Sequence, residues 1–129
     1  MPDINYFAVV AAAVSSFMLG GLWYSKLLFE KVWTREAGVD PQKGHAPTVF
    51  GVSFVFSLLA ALAFAWWLGP KPELLDAVHH GLFIGTAFVA TSFGINYQFA
   101  QNSMKMWAID AGYHILQFGL FGLVLGLWH

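Results

Sequence analysis

The sequence predicts an all-α, polytopic membrane four-helix bundle with antiparallel neighbours and both termini outside. Three observations carry this expectation. Of 129 residues, 58% are hydrophobic and only 10% charged, and the mean hydropathy is +0.63. A soluble domain has roughly a quarter of its residues charged, so this chain lacks the polar surface to cover a core in water. Four separate stretches also reach the roughly 20 apolar residues that a helix needs to cross the hydrocarbon of a bilayer. Finally, short runs rich in turn-forming residues separate most of these stretches, and connections that short make neighbouring helices antiparallel. The whole chain, residues 1–129, is expected to form one transmembrane domain.

The first span is expected at about 4–25. Its apolar opening has the look of a secretory leader. It begins with Asp3 instead of Lys or Arg, however, and its apolar run continues through Trp23 and Tyr24, so a retained helix is the expectation. Residues 26–36 follow as an amphipathic stretch, with Leu28, Phe29, Val32 and Trp33 on one helical face and Lys26, Glu30, Lys31 and Arg35 on the other. That stripe suits either a continuation of the first helix or a separate helix lying in the headgroups. The run Gly38 to Gly44, with Pro41, then ends it. The second span is expected at 46–69, with Pro47 in its first turn. Gly69, Pro70 and Pro72 break the chain before the third, at 74–97. A polar turn at 99–105 leads to the fourth, at 104–128.

Basic residues orient the bundle. Lys26, Lys31, Arg35 and Lys43 lie between spans one and two and Lys105 between three and four, against Lys71 alone on the other side. The positive-inside rule puts the first two connections in the cytoplasm. Net charge is −1, with no basic patch, which argues against nucleic acid as a partner. There is no cysteine, so disulfides and thiolate metal sites are excluded.

Two stretches resemble a known family. Residues 20–33, GGLWYSKLLFEKVW, are similar to the opening signature of domain-of-unknown-function family 1761, a group of small bacterial four-helix integral membrane proteins. Lys26 stands where that family usually has proline, and Glu30 where it usually has glycine. Residues 109–126, IDAGYHILQFGLFGLVLG, resemble its second signature, and Asn96 to Phe99 its Asn-x-x-Phe. The resemblance implies four helices in a bacterial inner membrane and brings no established activity.

The polar groups of the fourth span are the main functional signal. Asp110 and His114 are four apart and share a helix face, Gln117 continues it, and Tyr113 lies beside it. Asp110 falls about 10 Å into the helix and His114 about 6 Å deeper. An acid at such depth costs about 2.5 to 3.5 kcal/mol on insertion scales, so it should face protein or water. Tyr24, Asn96 and Tyr97 end their helices at the same depth. The expectation is therefore one polar cluster of Tyr24, Asn96, Tyr97, Asp110, Tyr113, His114 and Gln117. It is either a binding or proton-handling site for a small solute, or a set of hydrogen bonds that only holds the helices together.

A second group, Asp76, His79 and His80 with Glu73, Asp3 and His129, lies at the other end and has metal-ligating chemistry, but its spacing matches no strong motif. Gly81/Gly85 and Gly122/Gly126 form two G-x-x-x-G pairs, which allow close helix approach within one chain or between chains. Because four helices offer limited internal interface, a homo-oligomer is expected. Trp66, Trp67 and Trp128 on one side, with Trp23, Tyr24, Trp33 and Trp107 on the other, read as two interfacial belts. No cofactor is expected. His114 and the His79/His80 pair lie at opposite ends and offer no axial pair for haem, and nothing resembles an activated nucleophile.

Overall fold

The computed structural model describes residues 4–38 and 47–129. Asp3, Lys43 and the turn that ends the amphipathic stretch lie outside the described residues. All regular structure among the described residues is helical: α1 (Tyr6–Trp23), α2 (Glu30–Ala37), α3 (Pro47–Leu68), α4 (Leu74–Ile84), a π-helical turn (Gly85–Ala90), α5 (Thr91–Phe99) and α6 (Met104–Leu127). Four helices are long and apolar enough to cross a membrane: α1, α3, the run Leu74–Phe99, and α6.

Local chemistry sets the helix starts. Asn5 Oδ1 accepts from the Ala8 amide at 3.2 Å, Ser103 Oγ accepts from Met106 at 3.1 Å, and the Glu73 carboxylate accepts from Leu75 and Asp76. Each supplies an acceptor to N–H groups that have no partner within the helix. The amphipathic stretch is a separate helix and not a continuation of α1. The Ser25 hydroxyl takes the Leu22 carbonyl at 2.6 Å, Phe29 N donates to Trp23 O, and the Trp23 and Phe29 rings lie 4.8 Å apart. Side-chain competition for a backbone carbonyl is what lets a serine interrupt a helix. Gly38, at φ +70°, closes α2 in the left-handed conformation that glycine adopts freely.

At the centre lies α6. Half of its most apolar window is buried, against 28% for α1 and 17% for α3. It runs antiparallel to α4, with Leu74 against Gly126 and Gly85 against Ile115. Both glycine pairs are spent on this one contact. A Cβ on Gly81 would overlap the Phe118 carbonyl, and one on Gly122 would overlap the Ala77 carbonyl. The small-residue motifs therefore close an internal seam and leave no glycine-lined face of this kind for a second chain. On the other side of α6, alanines of α1 (Ala8, Ala12, Ala13) meet Ala61, Phe64 and Ala65 of α3 and Phe121 and Leu125.

Asn5, the turn 69–72 and Trp128 line one small cavity, so the start of α1, the α3–α4 connection and the end of α6 share one end of the bundle. Around Asp110 at the opposite end gather Tyr24, Trp33 and Tyr97. The third span is not the uniform helix expected over 74–97. Side chains bond carbonyls in and beside its π turn: Trp107 Nε1 donates to Ala90 O at 2.8 Å, Thr91 Oγ1 to Ala87 O and Ser92 Oγ to Phe88 O.

Candidate functional site

Asp110 is 7% exposed and accepts from three elements at once. The Tyr24 hydroxyl, just past the end of α1, donates to Oδ1 at 2.5 Å. Trp33 Nε1, on α2, donates to the same oxygen at 3.0 Å, and the Tyr97 hydroxyl of α5 donates to Oδ2. An ionised carboxylate only accepts, and here every partner has a proton to give. Tyr24 packs edge-on against Trp33 and Tyr113.

The sequence places Asn96 and Tyr97 together, but only Tyr97 reaches the acid. The π turn is the reason. Three regular turns beyond Gly85, which faces α6, would bring round residue 96; the extra residue of the π turn brings round Tyr97 instead. Asn96 is exposed. Trp33 was not foreseen as a partner of Asp110. The signal was present: an indole N–H on the apolar face of an amphipathic helix needs an acceptor when buried.

Tyr113, His114 and Gln117 form a second set, one turn deeper. The Tyr113 hydroxyl donates to Ser16 O at 2.9 Å rather than to Asp110. Gln117 Nε2 points at the hydroxyls of Ser16 and Ser57, each at 3.5 Å. Its Oε1 is thus left to accept from His114 Nδ1 at 2.7 Å. With the Gln117 amide in this orientation Nδ1 is the protonated ring nitrogen of His114, and the ring stacks on Phe93 at 4.8 Å and 18°. In that tautomer Nε2 is an acceptor with no partner among the described residues, and it is not sealed, because no buried side-chain nitrogen or oxygen among them lacks a hydrogen bond.

Both sets, Tyr97 apart, line one cleft. It has a volume of about 880 Å³ and opens between α1, α3 and α6. The second half of α3 packs into the core through Ala61, Phe64 and Ala65, while its first half rests on Phe17 of α1 through Phe50 and Phe54 and leaves Val49, Ser53, Phe56 and Ser57 as a wall of the cleft. Asp110, Tyr113, His114 and Gln117 form the opposite wall, and Tyr24, Glu30, Trp33 and Thr34 close the end. Glu30 and Asp110 are acidic, and among the described residues no lysine or arginine lines the cleft.

The group at the other end does not assemble. Among the described residues no three His, Cys, Asp or Glu side chains stand together as metal ligands would. His80 Nδ1 pairs with the Asp76 carbonyl at 2.6 Å and its ring meets Trp67 edge-on, while Asp76 and His79 are exposed. The belt reading also changes at the Asp110 end. Trp23 Nε1 donates to Ile109 O at 2.9 Å and Trp107 to Ala90 O, so these indoles bolt helices together.

No curated protein and no solved structure matches the chain. A family model does match, over residues 7–126, which is nearly its whole length, and it includes both signature stretches and every residue around Asp110. This small multi-pass membrane protein belongs to the family described as protein of unknown function (DUF1761).

Proposed function

We propose that this protein binds a small molecule from within the bilayer, in the cleft between α1, α3 and α6, with the Asp110 cluster as its closed end. The observation that carries this reading is the cleft itself. Its volume falls in the range of small-molecule pockets, and it joins an apolar wall to a few convergent polar groups. The Asp110 cluster gives it a fixed end, because three donors from three elements hold that carboxylate in place.

Binding is favoured over permeation of a solute or proton. The polar lining stops at Gln117 and Ser57; beyond them lie Phe64, Phe118, Phe121 and the alanines of α1. From Gln117 to Leu127 is about 15 Å of helix without a further polar side chain. The setting we propose is a bacterial inner membrane, with the α1–α3 and α5–α6 connections in the cytoplasm, as the five basic residues there indicate.

A second reading is structural: an accessory subunit or homo-oligomer in which the polar groups only hold helices. It is favoured by the saturation of Asp110 and by the exposed apolar surface of α3, including Val52, Val55 and Leu59. Gly21 separates the two. It lines the cleft, and a Cβ there meets nothing within 4 Å. Gly21→Phe should fill the cleft without disturbing the fold. In calorimetric titration of the full chain in micelles with para-octylphenol, this variant should bind at least about ten-fold more weakly than wild type, with unfolding unchanged. Equal binding by the two proteins would remove the cleft reading and leave the structural one.

A further inference from the structure

We infer that the cleft selects a neutral, membrane-partitioning molecule with an apolar body and a hydrogen-bond-donating head such as a phenol or alcohol, and that His114 Nε2 receives the head. The inference rests on the cleft reading above and adds the chemistry of the occupant.

The argument follows from which polar groups remain unused. Asp110 has three donors and is occupied within the protein. The Tyr113 hydroxyl is given to Ser16 O. Gln117 spends its amide N–H groups on two serines and its oxygen on His114. What is left on the α6 wall is Nε2 of His114, whose ring is oriented by Gln117 and held in one plane by Phe93; the further polar groups of the lining, Glu30 and Ser53, belong to α2 and α3. An acceptor fixed this way rewards a ligand that brings a donor and gives nothing to one that does not. The charge of the lining narrows the class further. With Glu30 and Asp110 present and no lysine or arginine among the described lining residues, an anionic head such as a carboxylate or phosphate finds no counter-charge there. Most of the remaining lining is apolar, with phenylalanine and valine its largest side chains, which suits an alkyl or aromatic body.

Two probes differing only in the head test this: para-octylphenol and its methyl ether. Each is titrated calorimetrically into the full chain in micelles, with empty micelles as reference. Wild type should bind the phenol about five-fold or more tightly than the ether, the yield of one neutral hydrogen bond. His114→Asn places an amide near Nδ1 and can keep the bond to Gln117 while removing the Nε2 position, so the preference should fall to about one-fold. His114→Gln puts an amide oxygen near Nε2 and should restore it. Equal binding of both probes by wild type, reduced by Gly21→Phe, would overturn this inference and leave the cleft reading standing. A preference that survives His114→Asn would also overturn it. No binding of either probe to wild type would overturn both.

Discussion

The two ends of this bundle use similar residues in opposite ways. Near the turn 69–72, Trp66, Trp67 and Trp128 are each at least half exposed, and the interior is closed by glycine and alanine, with backbone against backbone between α4 and α6. Near Asp110, Trp23, Trp33 and Trp107 turn inward, and each gives its indole N–H to an acceptor on another element. Tight packing needs no polar glue, because helices in lipid associate well when small residues let them approach. Where α3 stands away from α6 that approach is lost, and hydrogen bonds to a buried acid take over. The lesson is that the polar cluster sits where packing is weakest, which is also where a cleft can exist.

That contrast can be broken most severely at the glycine end. Gly122→Val would drive a side chain into the Ala77 backbone, which cannot yield as a flexible side chain would. It should cost at least about 3 kcal/mol, read as loss of helical signal at lower temperature in micelles. The acid end should be more forgiving. Asp110→Leu strands three donors and should cost about 2 kcal/mol, while Asp110→Asn, which keeps one carbonyl oxygen and the size, should cost about 1 kcal/mol. A result in which Asp110→Leu exceeds Gly122→Val would reverse the contrast. The smallest effect is expected in the π turn. Deleting the exposed Thr86 removes the extra residue and returns the segment to regular helix while keeping Gly85 and Tyr97 in phase with α6. The change should stay within about 1 kcal/mol, and the Tyr97 hydroxyl should still report a hydrogen bond by its vibrational frequency.

Much of this architecture is legible in the sequence because a bilayer demands it. Apolar runs mark the spans, and a lone acid in such a run has to face inward. Tyr24 and Tyr97 at the same depth then follow from helix rise alone. The less legible parts depend on phase and on pairwise packing. Nothing in the spacing from Gly85 to Tyr97 announces one extra residue, so Asn96 looks as well placed as Tyr97 until the π turn is seen. His114 shares a face with Asp110, yet its ring goes to Gln117 and Phe93, because tyrosine and tryptophan already occupy the carboxylate. Ser16 and Ser57 carried a readable signal that was passed over: a hydroxyl in an apolar span needs a partner across the bundle. The cleft had no such signal. Which neighbour α3 leans on is decided by pairwise packing: Phe64 meets Phe118 of α6 at one end, while Phe50 and Phe54 meet Phe17 of α1 at the other.

The position of α6 in the chain has a consequence for biogenesis. The most enclosed helix is the one translated after the other three spans. Until it enters the membrane, Gly81 and Gly85 have no surface to meet, and Tyr24, Trp33 and Tyr97 have no carboxylate to bind. The third span must therefore wait in lipid beside an α1–α3 pair that can already share its alanine and phenylalanine contacts, and delivery of the fourth locks them together.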